Sequence, residues 1–524
     1  MLCLIVYTST SYLNLLPPIC FCSDFKIGAV PQKRKINIKR ETDMKKAFHA
    51  VFVIFVLFAL ILIPDAAAST SASEINFEML DDAITAQMDK HGLPGVALAV
   101  VEDGQIVYSK GYGSAGKNRS MSAQTQMTIG SQSKSFTALA IAQLAEQGKL
   151  DLAAPVQTYI PWFRVADETA SARITINHLL HHTSGLSDSG FGVVLPPDTS
   201  LEQAVRALAE AQLTAPVGSK HQYFNMGYSV LSYIIEIVSG QTYADYIQTH
   251  ILTPLSMNNS TADPFTVNDL AQGYSRLFGF PLPMHEDIPV YGVGAGYIVS
   301  TAEDLAQYAI AVMDDGAGLV SPEMMKRILT PGQGSYGMGW MIFDGGAKII
   351  HGGANHTFRT DVNLYPFRNR AFVLLTNEGY QVDHFISAAQ LRDSVETIIL
   401  DKTPPPVSEG WSVRWFGWGI GLLVLVLAIL QTRNFLTLRN WRDRTRSLPT
   451  FKRVMDVAIS FLIPTAILIV VFWQISGFYG NRFNLLTMMA YLPYALPDVF
   501  ILMLVGSVPD YTQGIIKLFL WRKG

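Results

Sequence analysis

Apolar residues are spread unevenly along this chain. They collect in one uninterrupted run at 51–63, in short bursts through the middle, and in three long runs after residue 410. The bursts follow two rhythms. Val96-Ala97-Leu98-Ala99-Val100-Val101 and Ile106-Val107-Tyr108 flank Asp103-Gly104, which predicts two strands joined by a tight hairpin. From 131 to 147 the spacing changes, and Phe136, Leu139, Ala140 and Leu144 recur at helical intervals. Ala371-Phe372-Val373-Leu374-Leu375-Thr376 reads as a buried strand. Strands at both ends of 74–401 with helices between them predict one mixed α/β domain. Its first and last portions close the sheet around a mostly helical insertion. No internal repeat or low-complexity tract interrupts it.

The flanking runs have a different logic. Lys45 and Lys46 precede the run at 51–63, and Ala66-Ala67-Ala68 follows it. A positive start, an apolar stretch and a small-residue cleavage site make an export signal at 44–68, cut before Ser69. Met44 is then the expected true start, with 1–43 a mis-called extension; an uncleaved signal anchor is the alternative. Pro404-Pro405-Pro406 marks 402–414 as a stiff linker. Three membrane spans are expected near 415–430, 454–478 and 485–505, with 506–524 a cytoplasmic tail. Arg433, Arg439, Arg442, Arg444, Arg446, Lys452 and Arg453 crowd the first loop, which should therefore face the cytoplasm. That places the 74–401 domain outside the cell, in agreement with the export signal. Pro464, Pro493 and Pro497 fall in these runs, but the only acids there are Asp456 and Asp498. Scarce intramembrane charge favours an anchor over a transporter with an appended domain.

Composition changes the picture little. Against 39 Lys plus Arg stand 42 Asp plus Glu, a net charge of -3, with no electrostatic case for a nucleic-acid partner. The chain of 524 residues is 49% hydrophobic, which the flanking runs explain. Cys3, Cys20 and Cys22 all precede the export signal, so no disulfide or thiolate metal site is expected in the domain.

Three short elements carry candidate chemistry. Ser131-Gln132-Ser133-Lys134 begins an apolar helix, where a separation of three puts Ser131 and Lys134 on one face. A serine hydroxyl needs a neighbouring base to act as nucleophile. A lysine serves only where burial or a nearby cation lowers its pKa. Tyr223-Phe224-Asn225 offers a second proton carrier and an amide that can hold lysine and substrate together. The same pattern at Tyr12-Leu13-Asn14 and Tyr479-Gly480-Asn481 falls in the leader and between spans. His351-Gly352-Gly353 follows the strand-like Lys348-Ile349-Ile350, and paired glycines at a strand edge permit close backbone approach. Taken singly, each element also fits a bland reading: a capping serine, a chance triplet, a strand end with a satisfied histidine.

In order and spacing the three elements resemble the class C β-lactamases and the DD-peptidases and esterases related to them. Further landmarks extend the likeness. They are Pro94-Gly95, the stretch from Ile174 through His178, His181 and His182 to Leu186, the stretch from Gly296 to Leu305, and Tyr336-Gly337-Met338-Gly339-Trp340. The resemblance implies an αβα sandwich with an antiparallel sheet, joined to a helical subdomain and followed here by the C-terminal transmembrane helices. It implies Ser131 as the acylated nucleophile, with Lys134 and Tyr223 moving protons. Asn225 and His351 would contact substrate, and Gly353 and Ala354 would bring an oxyanion-binding amide opposite that of Ser131. No metal or organic cofactor is implied, and the adjacent His181 and His182 lack the spacing of a zinc helix. Two positions depart from the family. His351 stands where class C enzymes usually carry lysine, and Asn355-His356-Thr357-Phe358 replaces a frequent Pro-Gly turn.

The expected activity is hydrolysis through a Ser131 acyl-enzyme, on D-amino-acid cell-wall peptides, β-lactams or small esters. Placement on the outside of a membrane favours the peptides. The alternative is a non-catalytic penicillin-binding or sensing module tethered to the membrane. The oligomeric state is left open.

Overall fold

A computed structural model describes residues 75–404, 407, 411–478 and 485–522. The export signal, the three cysteines, and Pro405 and Pro406 of the linker lie outside the described residues. Every described residue belongs to one compact unit, Ser73–Gly524.

Helix α1 (Phe77–His91) is capped by the Asn76 side chain and ends on Gly92 in the left-handed region. The expected hairpin follows as β1 (Gly95–Glu102) and β2 (Gln105–Gly116). Asp103 and Gly104 have φ of 49° and 73°, the paired positive angles of a type I′ turn. Beyond β3 (Arg119–Ser120) and β4 (Met127–Thr128), a turn at Gly130–Gln132 leads into α2 (Ser133–Glu146). The helical insertion contains α3 (Asn225–Ser239). After it come the hairpin β5 (Gly273–Leu277) and β6 (Phe280–Met284), then β7 (Val299–Ser300) and α4 (Ala302–Met313). The domain closes with β8 (Met341–Phe343), β9 (Lys348–Ala354), β10 (Arg359–Tyr365), β11 (Arg370–Thr376) and α5 (Ser387–Ile399).

The main sheet has the order β3-β2-β1-β11-β10-β9-β8, and its central pair joins the two ends of the domain. Strands β1 and β11 run antiparallel, from Val96 opposite Thr376 to Glu102 opposite Arg370. Ala97, Ala99, Val101, Val373 and Leu375 point into the core shared with α2, α4 and the helical insertion. Val96, Leu98, Val100, Phe372 and Leu374 point the other way, against α1 and α5. Both faces are covered, which is why these strands read as unbroken apolar runs. Each such valine, leucine or phenylalanine contributes about 1.5–3 kcal/mol by leaving water.

Helices α6 (Val413–Leu438), α7 (Thr450–Phe478), α8 (Leu485–Ala495) and α9 (Pro497–Arg522) complete the chain. Three of them (α6, α7 through Ile475, and α9) are long and apolar enough to cross a membrane. The third differs from the expected 485–505. The run divides at Leu496, because Pro497 lacks an N–H and starts a new helix, and α9 continues through most of the expected tail. A longer third span also brings more polar groups into the bundle than the sequence suggested. Gln431 Nε2 donates to Asp510 at 2.9 Å and Gln513 Nε2 to Gln431 Oε1 at 2.6 Å, a contact type that holds membrane helices together.

The α/β domain and the helical bundle meet at one end. Tyr380 packs with Val413, Leu492, Ala495 and Leu496. Leu438, Trp441 and Val457 pack together at the other end of α6, about 39 Å away along a 26-residue helix. The β5–β6 turn rests on α6 so closely that a Cβ on Gly417 would lie 2.1 Å from the Gly279 nitrogen. Ser275 Oγ donates to the Tyr494 carbonyl at 3.2 Å.

Candidate active site

Ser131 sits in the turn that opens α2, pressed against the end of β9. Gly130 has φ of 54°, and a Cβ there would lie 2.3 Å from the Ala354 nitrogen. A Cβ on Gly353 would lie 1.9 Å from the Ile129 carbonyl oxygen. Only two glycines let these backbones touch, so the turn bearing Ser131 lies flush against the strand end bearing Ala354.

Two side chains converge on the serine, and a third holds one of them. Lys134, one helical turn along and fully buried, donates to Ser131 Oγ at 3.0 Å and to Asn225 Oδ1 at 2.8 Å. It also donates to the Ala295 carbonyl. Tyr223 donates its hydroxyl to Ser131 Oγ at 2.8 Å, and its ring centroid lies 4.8 Å from Lys134 Nζ. Tyr223 ends the segment leading into α3 and Asn225 is the first residue of that helix. The second element thus reaches the first through a helix start.

The third element divides. Gly353 and Ala354 lie at the serine, whereas His351 is 2% exposed and stands behind the tyrosines. Its Nδ1 is 2.9 Å from the Gly352 carbonyl and its Nε2 is 3.3 Å from the Tyr336 hydroxyl. These partners assign the proton to Nδ1 and make Nε2 the acceptor. Burial, reinforced by the Lys134 charge, pushes the imidazole down to about 3, so it stays neutral. His182 positions the second element: its Nδ1 accepts from the Phe224 amide at 3.2 Å and its ring lies 4.3 Å from that of Tyr223. His181 Nδ1 lies 3.4 Å from the Tyr336 carbonyl. Among the described residues, no three His, Cys, Asp or Glu side chains form a group that could hold a metal.

A cleft of about 360 Å³ opens at Ser131, with Asn225, Ala295 and Ala354 also in its lining. Phe191, Val193, Leu195, Tyr291 and Tyr297 form much of its wall, and Tyr491 of α8 joins them. Two carboxyl groups, Asp188 and Glu286, border it. Glu286 accepts from the His356 amide at 3.0 Å and from Thr357 Oγ1 at 2.9 Å. Burial outweighs those donors and pushes its carboxyl up to about 7. A larger hollow of about 690 Å³, bordered by Ala115, Gln272, Met284 and Thr357, also touches Glu286 but holds none of the three elements. Ala295, Glu286, Tyr336 and Tyr491 carry no motif of their own. Ala295 and Tyr336 fall beside or within sequence landmarks, while Glu286 and Tyr491 had no local signal.

Known proteins resemble this chain in sequence and in fold. The beta-lactamase family profile matches residues 80–396. Protein flp of Staphylococcus aureus strain MW2 is 28% identical over 312 residues, covering 57% of this chain and 63% of its own length. The chain thus spans less than two thirds of that relative. Penicillin-binding protein 4 of Amycolatopsis lactamdurans is 27% identical over 328 residues, covering 56% of this chain and 84% of its own length. Among solved structures, the octameric penicillin-binding protein homologue from Pyrococcus abyssi superposes with a TM-score of 0.53 at 28% identity, covering 63% of this chain and 78% of that one. Because that profile covers more than half of its length, the chain belongs to the beta-lactamase family, within the serine β-lactamase and penicillin-binding-protein superfamily.

Proposed function

We propose that this chain is a membrane-anchored serine hydrolase that forms an acyl-enzyme on Ser131 and acts outside the cell on uncharged carboxylic esters. The observation that carries the reading is the approach of Lys134 Nζ and the Tyr223 hydroxyl to one oxygen, Ser131 Oγ, at 3.0 and 2.8 Å. The reactive form is the one in which the Tyr223–Lys134 pair is short of one proton, and it takes that proton from Oγ as Oγ attacks the ester carbonyl. The carbonyl oxygen becomes an oxyanion facing the Ser131 and Ala354 amides. The pair then protonates the departing alcohol, leaving an ester on Ser131. Water, deprotonated by the same pair, releases the acid and restores the serine.

The cleft favours esters over cell-wall peptides and β-lactams, whose carboxylates call for a cation. Among the described residues lining it there is no Lys or Arg, and two carboxyl groups border it. The histidine of the third element is buried and neutral. The outward orientation is supported by the bundle, whose basic loop lies at the end remote from the enzyme domain.

The test is covalent labelling of the full-length protein with a fluorescent fluorophosphonate and, separately, a fluorescent penicillin. Fluorophosphonate labelling that vanishes in Ser131→Ala and falls about 10²–10⁴-fold in rate in Lys134→Ala is expected. Penicillin labelling of equal rate would move the substrate to the peptide and β-lactam class. A folded protein inert to both probes would leave a binding module.

A further inference from the structure

The bundle does more than hold the enzyme domain at a surface. Tyr491 belongs to α8, between the second and third membrane helices, yet it lines the cleft that contains Ser131. Its ring lies 4.7 Å from that of His356 and its hydroxyl 3.4 Å from Gln381 Oε1. Packing holds α8 there: Leu492, Ala495 and Leu496 are buried with Tyr380 and Val413, and the Tyr494 carbonyl accepts from Ser275.

The surroundings indicate what this wall meets. Trp411, Trp415 and Trp418 at the start of α6 are 78%, 62% and 41% exposed, and Phe280 on the adjoining hairpin is 59% exposed. Exposed aromatic rings at the end of an apolar span mark the level of the membrane–water interface. The cleft therefore has one wall built from the element that lies at that level. Its other walls carry Phe191, Val193, Leu195 and Tyr291, a surface suited to hydrocarbon.

We infer that the membrane segment supplies part of the substrate site, and that the substrate is an amphiphile of the bilayer surface: an ester whose hydrocarbon chain lies against Tyr491 and the apolar wall while its carbonyl reaches Ser131. Tyr491 is then a specificity-determining residue. The inference rests on the acyl-enzyme reading above and adds to it the class of ester and the part played by α8.

The test uses the full chain in lipid nanodiscs, with p-nitrophenyl acetate, butyrate and octanoate as probes and kcat/KM as readout. Each methylene sheltered from water is worth roughly fourfold in binding, so the wild type should favour octanoate over acetate by tenfold or more. Tyr491→Ala should cut that ratio about tenfold, and Tyr491→Phe, which keeps the ring, should retain it. Comparing ratios between variants cancels partition of the esters into the bilayer, and fluorophosphonate labelling of each variant reports an intact Ser131. Wild-type preference for acetate, or an unchanged ratio in a labelled Tyr491→Ala protein, would overturn the inference alone. Failure of every ester and of the fluorophosphonate to react would overturn the acyl-enzyme reading and this inference with it.

Discussion

Tyr380, on the loop after β11, holds its hydroxyl 2.9 and 3.0 Å from the two carboxylate oxygens of Asp498 in the first turn of α9. Asp498 is fully buried and also accepts from the Val499 amide, so one of the two acids in the apolar runs is a link between the α/β domain and the bundle. Tyr380→Phe should destabilise the full-length protein by about 1–3 kcal/mol, because a buried carboxylate loses its partner. Thermal unfolding in detergent measures this. Tyr380→Phe combined with Asp498→Leu should cost less than Tyr380→Phe alone. A double variant no more stable than the single one would refute the link.

The neighbouring glycines of the third element should behave differently. Gly353→Ala pushes a methyl group to 1.9 Å from the Ile129 carbonyl, whereas the nearest atom to a Cβ on Gly352 is 3.7 Å away. Gly353→Ala should separate the Ala354 amide from the serine and lower kcat by about 10²–10³-fold. Gly352→Ala should stay within a few-fold of wild type. Similar losses in both would show that the close approach is not what matters.

Glu286 should imprint itself on stability against pH. Its carboxyl is raised from 4.5 to about 7, so between those values the folded protein binds more protons than the unfolded chain. The contribution of this group is complete below about pH 4.5, declines as pH rises, and levels off above about 7. His351 and His356, pushed down to about 3 and 4, act in the opposite sense below about pH 6.5. The comparison with Glu286→Gln isolates the carboxyl: the melting temperature of wild type minus that of the variant should fall from pH 4.5 to 7. A flat difference would mean that the carboxyl titrates normally.

What was legible in the sequence was whatever a local rhythm or spacing encodes. The β1–β2 hairpin follows from Asp103-Gly104 between apolar runs, and Ser131 with Lys134 from one turn of helix. Asn225 announced itself by standing two residues after Tyr223, and the structure adds that it starts a helix. The remainder depends on packing between distant segments. Glu286 reaches the cleft because β6 ends beside the His356-Thr357 turn, and Tyr491 because α8 docks under it. His351 was legible as a residue of the third element but not as a buried one, since strand alternation does not say which tyrosine covers it. The boundary at Pro497 escaped a hydropathy count because apolar residues continue on both sides of it. Only the missing N–H separates α8 from α9.

The pairing of Val96 with Thr376 also constrains how the molecule is made. The middle of the sheet stays open until the last strand of the domain has been synthesised, and long-range pairing of this kind is slow. Synthesis then runs only from Thr376 to Val413 before α6, the first of the three long apolar helices among the described residues, begins. Closure of the sheet and insertion of that helix therefore fall in the same interval. A substitution that delays β11 would leave an unpaired apolar strand edge beside a membrane during that interval, and its first symptom would be lost yield rather than lost rate.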